Sequence, residues 1–196
     1  MAMSKRPSAL RVAKSDVVVA TPTQVATATS GNRSVVTPDP QQYNRAVMSH
    51  GDADLISRVQ TDFLHACLPL FFAEQHPVRS LGLTSAIAGE GKTLVALLIC
   101  HALAAQAQRP VVLVECDWEH SSLSRDLDLL SKPGLADWLR GACDVATIRH
   151  EILPNLSVIP AGHGGPDAVV ALAELERSAL RESLALPDQI MIVDLP

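Results

Sequence analysis

The stretch "LTSAIAGEGKTLVALLICHAL", Leu83–Leu103, decides the fold because it places a glycine-containing loop between two apolar segments. The loop, "AIAGEGKT", follows the phosphate-binding pattern G-x-x-x-x-G-K-[ST] except at Ala86, where the pattern has glycine. Residues 79–86 predict a short buried strand, and residues 93–108 predict a helix that is apolar around most of its circumference. A strand, a loop and a helix in this order are the context that a phosphate-binding loop requires.

The loop has the residue types that bind a nucleoside triphosphate. Gly89 and Gly91 allow backbone angles and close approaches that a side chain would block, and Ala86 costs little if its φ stays negative. Backbone N–H groups then face the phosphates, Lys92 would reach the β- and γ-phosphates, and the Thr93 hydroxyl would ligate Mg²⁺. The sequence therefore predicts ATP and Mg²⁺ as ligands. The predicted nucleotide-binding residues are Ala88, Gly89, Glu90, Gly91, Lys92, Thr93 and Leu94.

The rest of the chain alternates apolar strand patterns with helical patterns. Further strands are predicted at 110–116, 155–162 and 189–196, and helices at 134–142 and 166–184. An amphipathic helix is predicted from about Asp52 to Pro69, with apolar residues every fourth position at Leu55, Val59, Phe63 and Cys67. This alternation predicts an α/β fold, a P-loop NTPase-type parallel sheet flanked by helices, whose ligand binds at the carboxyl ends of the strands.

Carboxylates end two of the predicted strands. "VVLVECD" places Glu115 and Asp117 at the end of one strand, and "IMIVDLP" places Asp194 at the end of another. Because side chains alternate along a strand, Glu115 and Asp117 are expected to point to the same side. A phosphate site needs carboxylates near its metal. Either strand end alone is weak support, but a loop followed by two such strand ends predicts a nucleotide and metal site.

The amino-acid composition argues against several classes of function. The chain has 196 residues, is 47% hydrophobic and 3% aromatic, and carries a net charge of −5, so no nucleic-acid partner is predicted. Its four cysteines form no C-x-x-C pair, which argues against a zinc site and favours reduced thiols in the cytoplasm. No apolar run reaches the length of about 18 residues that a membrane helix needs.

The first 45 residues differ from the rest of the chain. Residues 1–45 are rich in Ser, Thr and Pro and contain six Lys or Arg residues but two Asp, a net charge of +4. This composition predicts a disordered N-terminal arm, 1–45, before a P-loop domain at 46–196. The only tyrosine, Tyr43, falls in the arm and is interpreted as an incidental tail residue.

Five segments together resemble the cytosolic ATPase domain of the bacterial tyrosine kinases of capsule and exopolysaccharide synthesis. These kinases belong to the partitioning-type P-loop ATPases. "TSAIAGEGKT" is similar to their Walker A motif, "VVLVECD" to their second acidic motif and "IMIVDLP" to their Walker B motif. "KPGLADWLRG" and "NLSVIPAG" resemble two segments that lie between the acidic motifs. The resemblance covers about residues 53–196.

The resemblance implies a role for each site residue. Lys92, Glu115, Asp117 and Asp194 are the implied catalytic residues, and Thr93, Asp117 and Asp194 are the implied metal ligands. Glu115 stands where the family has an Asp that serves the metal site and is the candidate base. The implied activity is transfer of the γ-phosphoryl group of Mg-ATP to tyrosine. The implied partners are a membrane polysaccharide co-polymerase, or chain-length regulator, and further copies of the chain. The implied location is the cytoplasm, peripheral to the inner membrane through that partner.

Several departures from the family favour alternative functions. Glu115 adds about 1.5 Å of reach over aspartate, and a displacement of about 1 Å can cost roughly a hundredfold in rate. Glu119, between Trp118 and His120, replaces a usual arginine; the oligomerisation pattern E-x-x-R-x-x-R keeps only Arg58. The first alternative is therefore a catalytically impaired nucleotide-binding regulatory subunit. A partitioning-type ATPase is the second, although the loop lacks that class's extra lysine at residues 86–88.

The end of the sequence gives a further expectation. The chain stops two residues after Asp194, whereas the family continues with more strands and helices. A domain truncated after the Walker B strand would leave that strand poorly covered. The expectation is therefore a C-terminally incomplete domain.

Overall fold

Five strands of the described residues form one sheet. The structure is a computed structural model and describes residues 40–48, 53–75, 77–175 and 177–196. The strands are β1 (Ser80–Leu83), β2 (Val111–Glu115), β3 (His150–Leu153), β4 (Leu156–Ile159) and β5 (Ile190–Asp194). Their order is β1-β5-β2-β4-β3, and all neighbours are parallel except β3 and β4.

The predicted α/β fold is confirmed, with one strand added. The four predicted strand segments contain β1, β2, β4 and β5, which are the parallel strands. The sequence prediction missed β3, which pairs antiparallel with β4 through a short turn. Asn155 in that turn has a φ of 65°, a left-handed conformation that asparagine tolerates better than most residues. The sheet is therefore mixed rather than purely parallel.

The strands β2 and β5 bring the site together. Both are buried at every residue, as expected for parallel strands covered on both faces. Strand β5 pairs with β1 on one side and with β2 on the other, and Asp194 aligns with both Leu83 and Glu115. The carboxyl ends of three strands therefore meet where the loop after β1 begins.

Eight α-helices are found in the described part of the chain. They are α1 (Pro40–Met48), α2 (Ala53–Phe71), α3 (Lys92–His101), α4 (Ser122–Asp126), α5 (Leu135–Leu139), α6 (Val145–Ile148), α7 (Pro166–Glu174) and α8 (Arg177–Leu184). A π-helical segment, Ala102–Gln106, continues α3. No helix among these residues has the length and apolar content needed to cross a membrane.

Two helices differ from their predictions. Helix α2 continues past Pro69 to Phe71, whose side chain is buried in the core. Burial of an aromatic side chain contributes about 1.5–3 kcal/mol, which offsets much of the cost of proline in the last turn. The single helix predicted at 166–184 is divided into α7 and α8, because Leu175 adopts an extended backbone with φ −76° and ψ 128°.

The core lies on both faces of the sheet. On one face Val111 and Leu113 of β2 pack with α1, α2 and α3. On the other face Val112 and Val114 pack with apolar residues of α5, α6 and α8. Alternate residues of one strand therefore stabilise two layers of helices, which is the arrangement that a doubly covered sheet requires.

Tyr43 is a core residue. It lies in α1 with 4% of its surface exposed, its ring stacks on His101 with centroids 4.6 Å apart, and its hydroxyl accepts a hydrogen bond of 2.9 Å from Gln60 Nε2. The interpretation as an incidental tail residue is therefore wrong, because α1 has an apolar face that packs on α3. The predicted boundary at 45/46 falls inside α1. The remainder of the predicted arm, 1–39, lies outside the described residues.

Candidate active site

The phosphate loop connects β1 to α3 and depends on two glycines. Gly89 and Gly91 both have a φ of 87°, in the left-handed region where side chains are disfavoured. A Cβ at either position would meet no atom within 4 Å, so glycine is needed for the backbone angle and the space beside it stays open. Within the loop the Ile87 N–H donates to the Glu90 carboxylate at 3.2 Å. One N–H group of the loop, that of Ile87, therefore donates to an anionic oxygen.

Lys92 begins α3 and lies between two carboxylates. Its Nζ is 3.1 Å from Asp117 Oδ2 and 3.4 Å from Asp194 Oδ1, and it also donates a hydrogen bond to the Leu195 carbonyl oxygen. Only 10% of the Lys92 side chain is exposed. The fold therefore brings together three of the predicted site residues, from α3, from the loop after β2 and from the end of β5.

Thr93 and Asp194 provide oxygen atoms suited to a magnesium ion. The Thr93 hydroxyl donates to Asp194 Oδ2 at 2.7 Å and accepts a hydrogen bond of 3.0 Å from Ser122 Oγ. Asp194 Oδ1 is buried and has no hydrogen-bond partner among the described residues, although Lys92 Nζ lies 3.4 Å away. A carboxylate oxygen that is near one cation but has no hydrogen-bond partner can also bind Mg²⁺, which prefers such oxygen ligands.

The donor set fits Mg²⁺ bound together with a nucleotide. No group of three or more His, Cys, Asp or Glu side chains among the described residues could hold a metal by itself. Mg²⁺ does not need such a group, because it commonly uses one or two carboxylates, with phosphate oxygens and water completing its shell. Thr93, Asp194 and the nearby Asp117 match this requirement.

The two aspartates differ in their electrostatics. Burial raises the pKa of Asp194, and the hydrogen bond from Thr93 and the charge of Lys92 only partly oppose that effect. Burial also acts to raise the pKa of Asp117, but the His120 N–H, at 2.9 Å, and the Lys92 ammonium outweigh it, so this pKa lies below its ordinary value. Asp117 therefore keeps its negative charge more readily than Asp194 does. A second cation would stabilise the charged form of Asp194 more than that of Asp117.

Glu115 does not lie with the other site residues. Its side chain is fully buried, and its carboxylate accepts hydrogen bonds from Leu123 N at 2.9 Å, Ser124 N at 3.2 Å, Ser124 Oγ and Ala161 N at 3.1 Å. Burial raises the pKa of Glu115, and these hydrogen bonds oppose the rise. The two carboxylates, which were expected to point to the same side, have different partners: Glu115 binds donors of α4 and of Ala161, whereas Asp117, beyond the end of β2, binds Lys92 and the His120 N–H.

Trp118, directly after Asp117, is held by contacts with the loop that follows β4. The Trp118 Nε1–H donates to the Ala161 carbonyl at 2.9 Å, and a Cβ on Gly164 would come within 1.8 Å of the indole ring. The sequence did not predict two hydrogen bonds near the site. Ser122 Oγ donates to Thr93 Oγ1, and Lys92 Nζ donates to the Leu195 carbonyl oxygen. The serines at 121 and 122, which follow the acidic motif at the start of a helix, were the available signal for the first of them.

The segments "KPGLADWLRG" and "NLSVIPAG" pack on each other. Leu135 N donates to the Pro160 carbonyl at 2.8 Å, and Ala136 N donates to the Ala161 carbonyl at 3.0 Å. A Cβ at Gly134 would lie 2.2 Å from the Pro160 oxygen, so only glycine allows this approach. The pairing fixes the loop that holds Ala161, and Ala161 in turn binds Glu115. The two segments therefore support the site indirectly, through the contact of Ala161 with Glu115.

A cavity of about 870 Å³ lies beside the phosphate loop. Its volume is within the usual range of roughly 300–1,000 Å³ for small-molecule sites. Of the predicted nucleotide-binding residues, all except Glu90 line it. Asp117 lines it as well, together with residues of the loop after β2 and of α4, which are Glu119, His120, Ser121, Ser122, Leu123, Arg125 and Asp126.

Solved structures share this fold. No protein-family model matches the chain, and no curated protein matches it. The kinase domain of VpsO matches with 20% identity and a TM-score of 0.60, over 72% of this chain and 70% of that chain. The chimerical protein CapA2B2 matches with 22% identity and a TM-score of 0.61, over 77% and 66%. The kinase domain of Escherichia coli tyrosine kinase ETK matches with 22% identity and a TM-score of 0.60, over 77% and 58%.

These comparisons define the fold class. The chain has a P-loop α/β fold with the phosphate loop after its first strand. More particularly, it shares its fold with the VpsO kinase domain and with the kinase domain of the Escherichia coli tyrosine kinase ETK. The matched region spans between 58% and 70% of the three solved chains, so the activity of those whole proteins is not transferred by the fold.

Proposed function

We propose that the chain binds Mg-ATP in the cavity beside the phosphate loop and transfers the γ-phosphoryl group to tyrosine. The observation that carries the proposal is the position of Lys92, 3.1 Å from Asp117 and 3.4 Å from Asp194, beside a loop with two left-handed glycines. P-loop enzymes use a lysine, a hydroxyl and a strand-end carboxylate in this way to bind phosphates and magnesium. The resemblance of the motifs to bacterial tyrosine kinases supports tyrosine as the acceptor.

Each residue has a separate task in the proposed reaction. The loop N–H groups hold the phosphates, and Lys92 balances the charge on the β- and γ-phosphates. Mg²⁺, held by Thr93 and Asp194, would neutralise charge on the phosphate oxygens. The new O–P bond forms as the bond to ADP breaks, and Asp117 accepts the proton of the tyrosine hydroxyl. We assign this task to Asp117 because it lines the cavity, whereas Glu115 is fully buried.

The proposed setting is the cytoplasmic side of the inner membrane. There the chain would act with a membrane polysaccharide co-polymerase, or chain-length regulator, in capsule or exopolysaccharide synthesis. Further copies of the chain are the second proposed partner. The net charge of −5 gives no reason to propose nucleic acid.

A catalytically impaired nucleotide-binding regulator is the second candidate, and two observations favour it. Glu115, which stands at the position of the candidate base, is occupied by hydrogen bonds to α4 and to Ala161. The only tyrosine of the chain, Tyr43, is buried and unsuited to self-phosphorylation in the folded state. A partitioning-type ATPase is the third candidate, and the absence of an extra lysine at residues 86–88 argues against it.

Phosphoryl transfer to an external acceptor tests the kinase proposal. We expect the full chain, incubated with magnesium and ATP labelled in the γ-phosphate, to label a synthetic copolymer of glutamate and tyrosine. Asp117→Asn should reduce labelling by about a hundredfold or more, since a positioned general base contributes about 10²–10⁴ to the rate. Labelling is measured by scintillation counting of the acceptor after electrophoresis.

A matched variant and a binding measurement separate the candidate functions. Asp128→Asn removes one carboxylate from an exposed residue that does not line the cavity, and it should label the acceptor as the unaltered chain does. ATP binding without labelling, in the unaltered chain, would contradict the kinase proposal and support the regulator. Equal labelling by Asp117→Asn and the unaltered chain would contradict the role given to Asp117.

A further inference from the structure

Arg125 is a cation of the cavity that the proposed reaction has not used. It lies in α4, three residues after Ser122, so the two side chains share a face of the helix. The Ser122 hydroxyl is 3.0 Å from Thr93 Oγ1, and both Ser122 and Arg125 line the cavity. The face of α4 that carries Arg125 is therefore the face turned toward the phosphate loop.

Helix α4 is fixed in this position from two sides. It has only five residues, too few to be stable without tertiary contacts. The Glu115 carboxylate accepts the N–H groups of Leu123 and Ser124, which attaches the helix to the end of β2. The contact between Ser122 and Thr93 attaches it to the start of α3. Arg125 is consequently carried by a positioned element and not by a free loop.

The charges of the cavity leave Arg125 available for a ligand. Among the residues that the structure describes, those lining the cavity include two cations, Lys92 and Arg125, and Lys92 already pairs with Asp117 and Asp194. Arg125 Nε is 3.2 Å from the carboxylate of its neighbour Asp126, and 66% of its side chain is exposed. An exposed ion pair of this kind contributes roughly 0–1 kcal/mol. A phosphate can therefore replace Asp126 as the partner of Arg125.

The geometry points to Arg125 as the residue that binds the terminal phosphate of the nucleotide. A guanidinium group matches phosphate oxygens with two parallel hydrogen bonds. Asp126, which also lines the cavity, holds Arg125 in the absence of that phosphate. Through this contact α4 distinguishes a nucleoside triphosphate from a diphosphate. The inference rests on the proposed function, because it assigns a further contact to the same nucleotide.

Paired titrations with Mg-ATP and Mg-ADP test the inference. Arg125→Gln in the full chain should weaken Mg-ATP binding about tenfold or more, because it removes a hydrogen bond between charged groups, and should change Mg-ADP binding by less than about twofold. Asp126→Asn should strengthen Mg-ATP binding by about twofold or more, since it removes the competing carboxylate. Affinities are measured by isothermal titration calorimetry at fixed ionic strength, and circular dichroism checks that each variant is folded.

Lys132→Gln is the matched control. Lys132 is exposed, lies seven residues after Arg125 and does not line the cavity, so the substitution changes the net charge equally. Equal losses for ATP and ADP, or an equal loss in Lys132→Gln, would overturn the assignment to Arg125 and leave the proposed function intact. Failure of the unaltered chain to bind either nucleotide would overturn the proposed function, and this inference with it.

Discussion

Glu115→Ala is expected to lower the free energy of unfolding by about 3 kcal/mol or more, because several buried donors lose their common acceptor. The carboxylate has no exposed surface and accepts hydrogen bonds from Leu123, Ser124 and Ala161. Alanine would leave three buried N–H groups without an acceptor, and each unsatisfied group costs about 1–3 kcal/mol. The free energy of unfolding is obtained from urea titrations followed by circular dichroism.

Two other variants of Glu115 keep this prediction testable if the alanine variant does not fold. Glu115→Gln retains the side-chain volume and one acceptor oxygen, and its free energy of unfolding should fall by about 2 kcal/mol. Glu115→Asp should also lose stability and should not raise turnover, because a shorter side chain cannot reach all of its donors. Glu119→Ala, an exposed neighbour, is the control and should stay within about 0.5 kcal/mol of the unaltered chain. Faster turnover of Glu115→Asp with unchanged stability would show that Glu115 serves the reaction directly.

Lys92→Ala is expected to weaken Mg-ATP binding by roughly a hundredfold or more. The variant loses charge-assisted hydrogen bonds to two phosphates, each worth about 1.5–3 kcal/mol, and every 1.4 kcal/mol corresponds to about a tenfold change in affinity. It also leaves Asp117 and the buried Asp194 without their shared cation, which raises the pKa of Asp194 further. Binding is measured by calorimetry at a temperature where circular dichroism finds the variant folded.

The control for Lys92 is Lys132→Ala, which removes the same charge from an exposed position outside the cavity. It should bind Mg-ATP with the affinity of the unaltered chain. An unchanged affinity in Lys92→Ala would mean that the phosphates bind elsewhere, and the assignment of the loop would be wrong. Equal weakening in both variants would indicate a general effect of net charge.

The sequence predicts the site's central residues because they lie in local patterns. The phosphate loop combines glycine positions, a lysine and a hydroxyl within eight residues. The strand that precedes Asp117 and the strand that ends at Asp194 are continuous apolar runs. Parallel strands then require their carboxyl ends to meet at one edge. The sequence alone is therefore enough to place Lys92 and both aspartates together.

The remaining features depend on contacts between distant segments. Glu115 is held by donors from residues 123, 124 and 161, which no local pattern brings together. Tyr43 is buried because α1 packs on α3, although the composition around it is typical of a solvated tail. Strand β3 is four residues long, and it forms because it can pair with the free edge of β4. Its own sequence has no alternation of apolar and polar residues that would predict a strand. Each case is tertiary packing overriding a local preference.

The most direct test of the central claim is a calorimetric titration of ATP into the full unaltered chain, with and without magnesium. The fit of Thr93, Asp194 and Asp117 to a nucleotide-bound Mg²⁺ predicts one saturable site in the presence of magnesium. Chelation of the metal should weaken the affinity by about tenfold or more, as expected when a charge-balancing ion is lost. Absence of saturable binding, or an affinity that does not depend on magnesium, would contradict the claim.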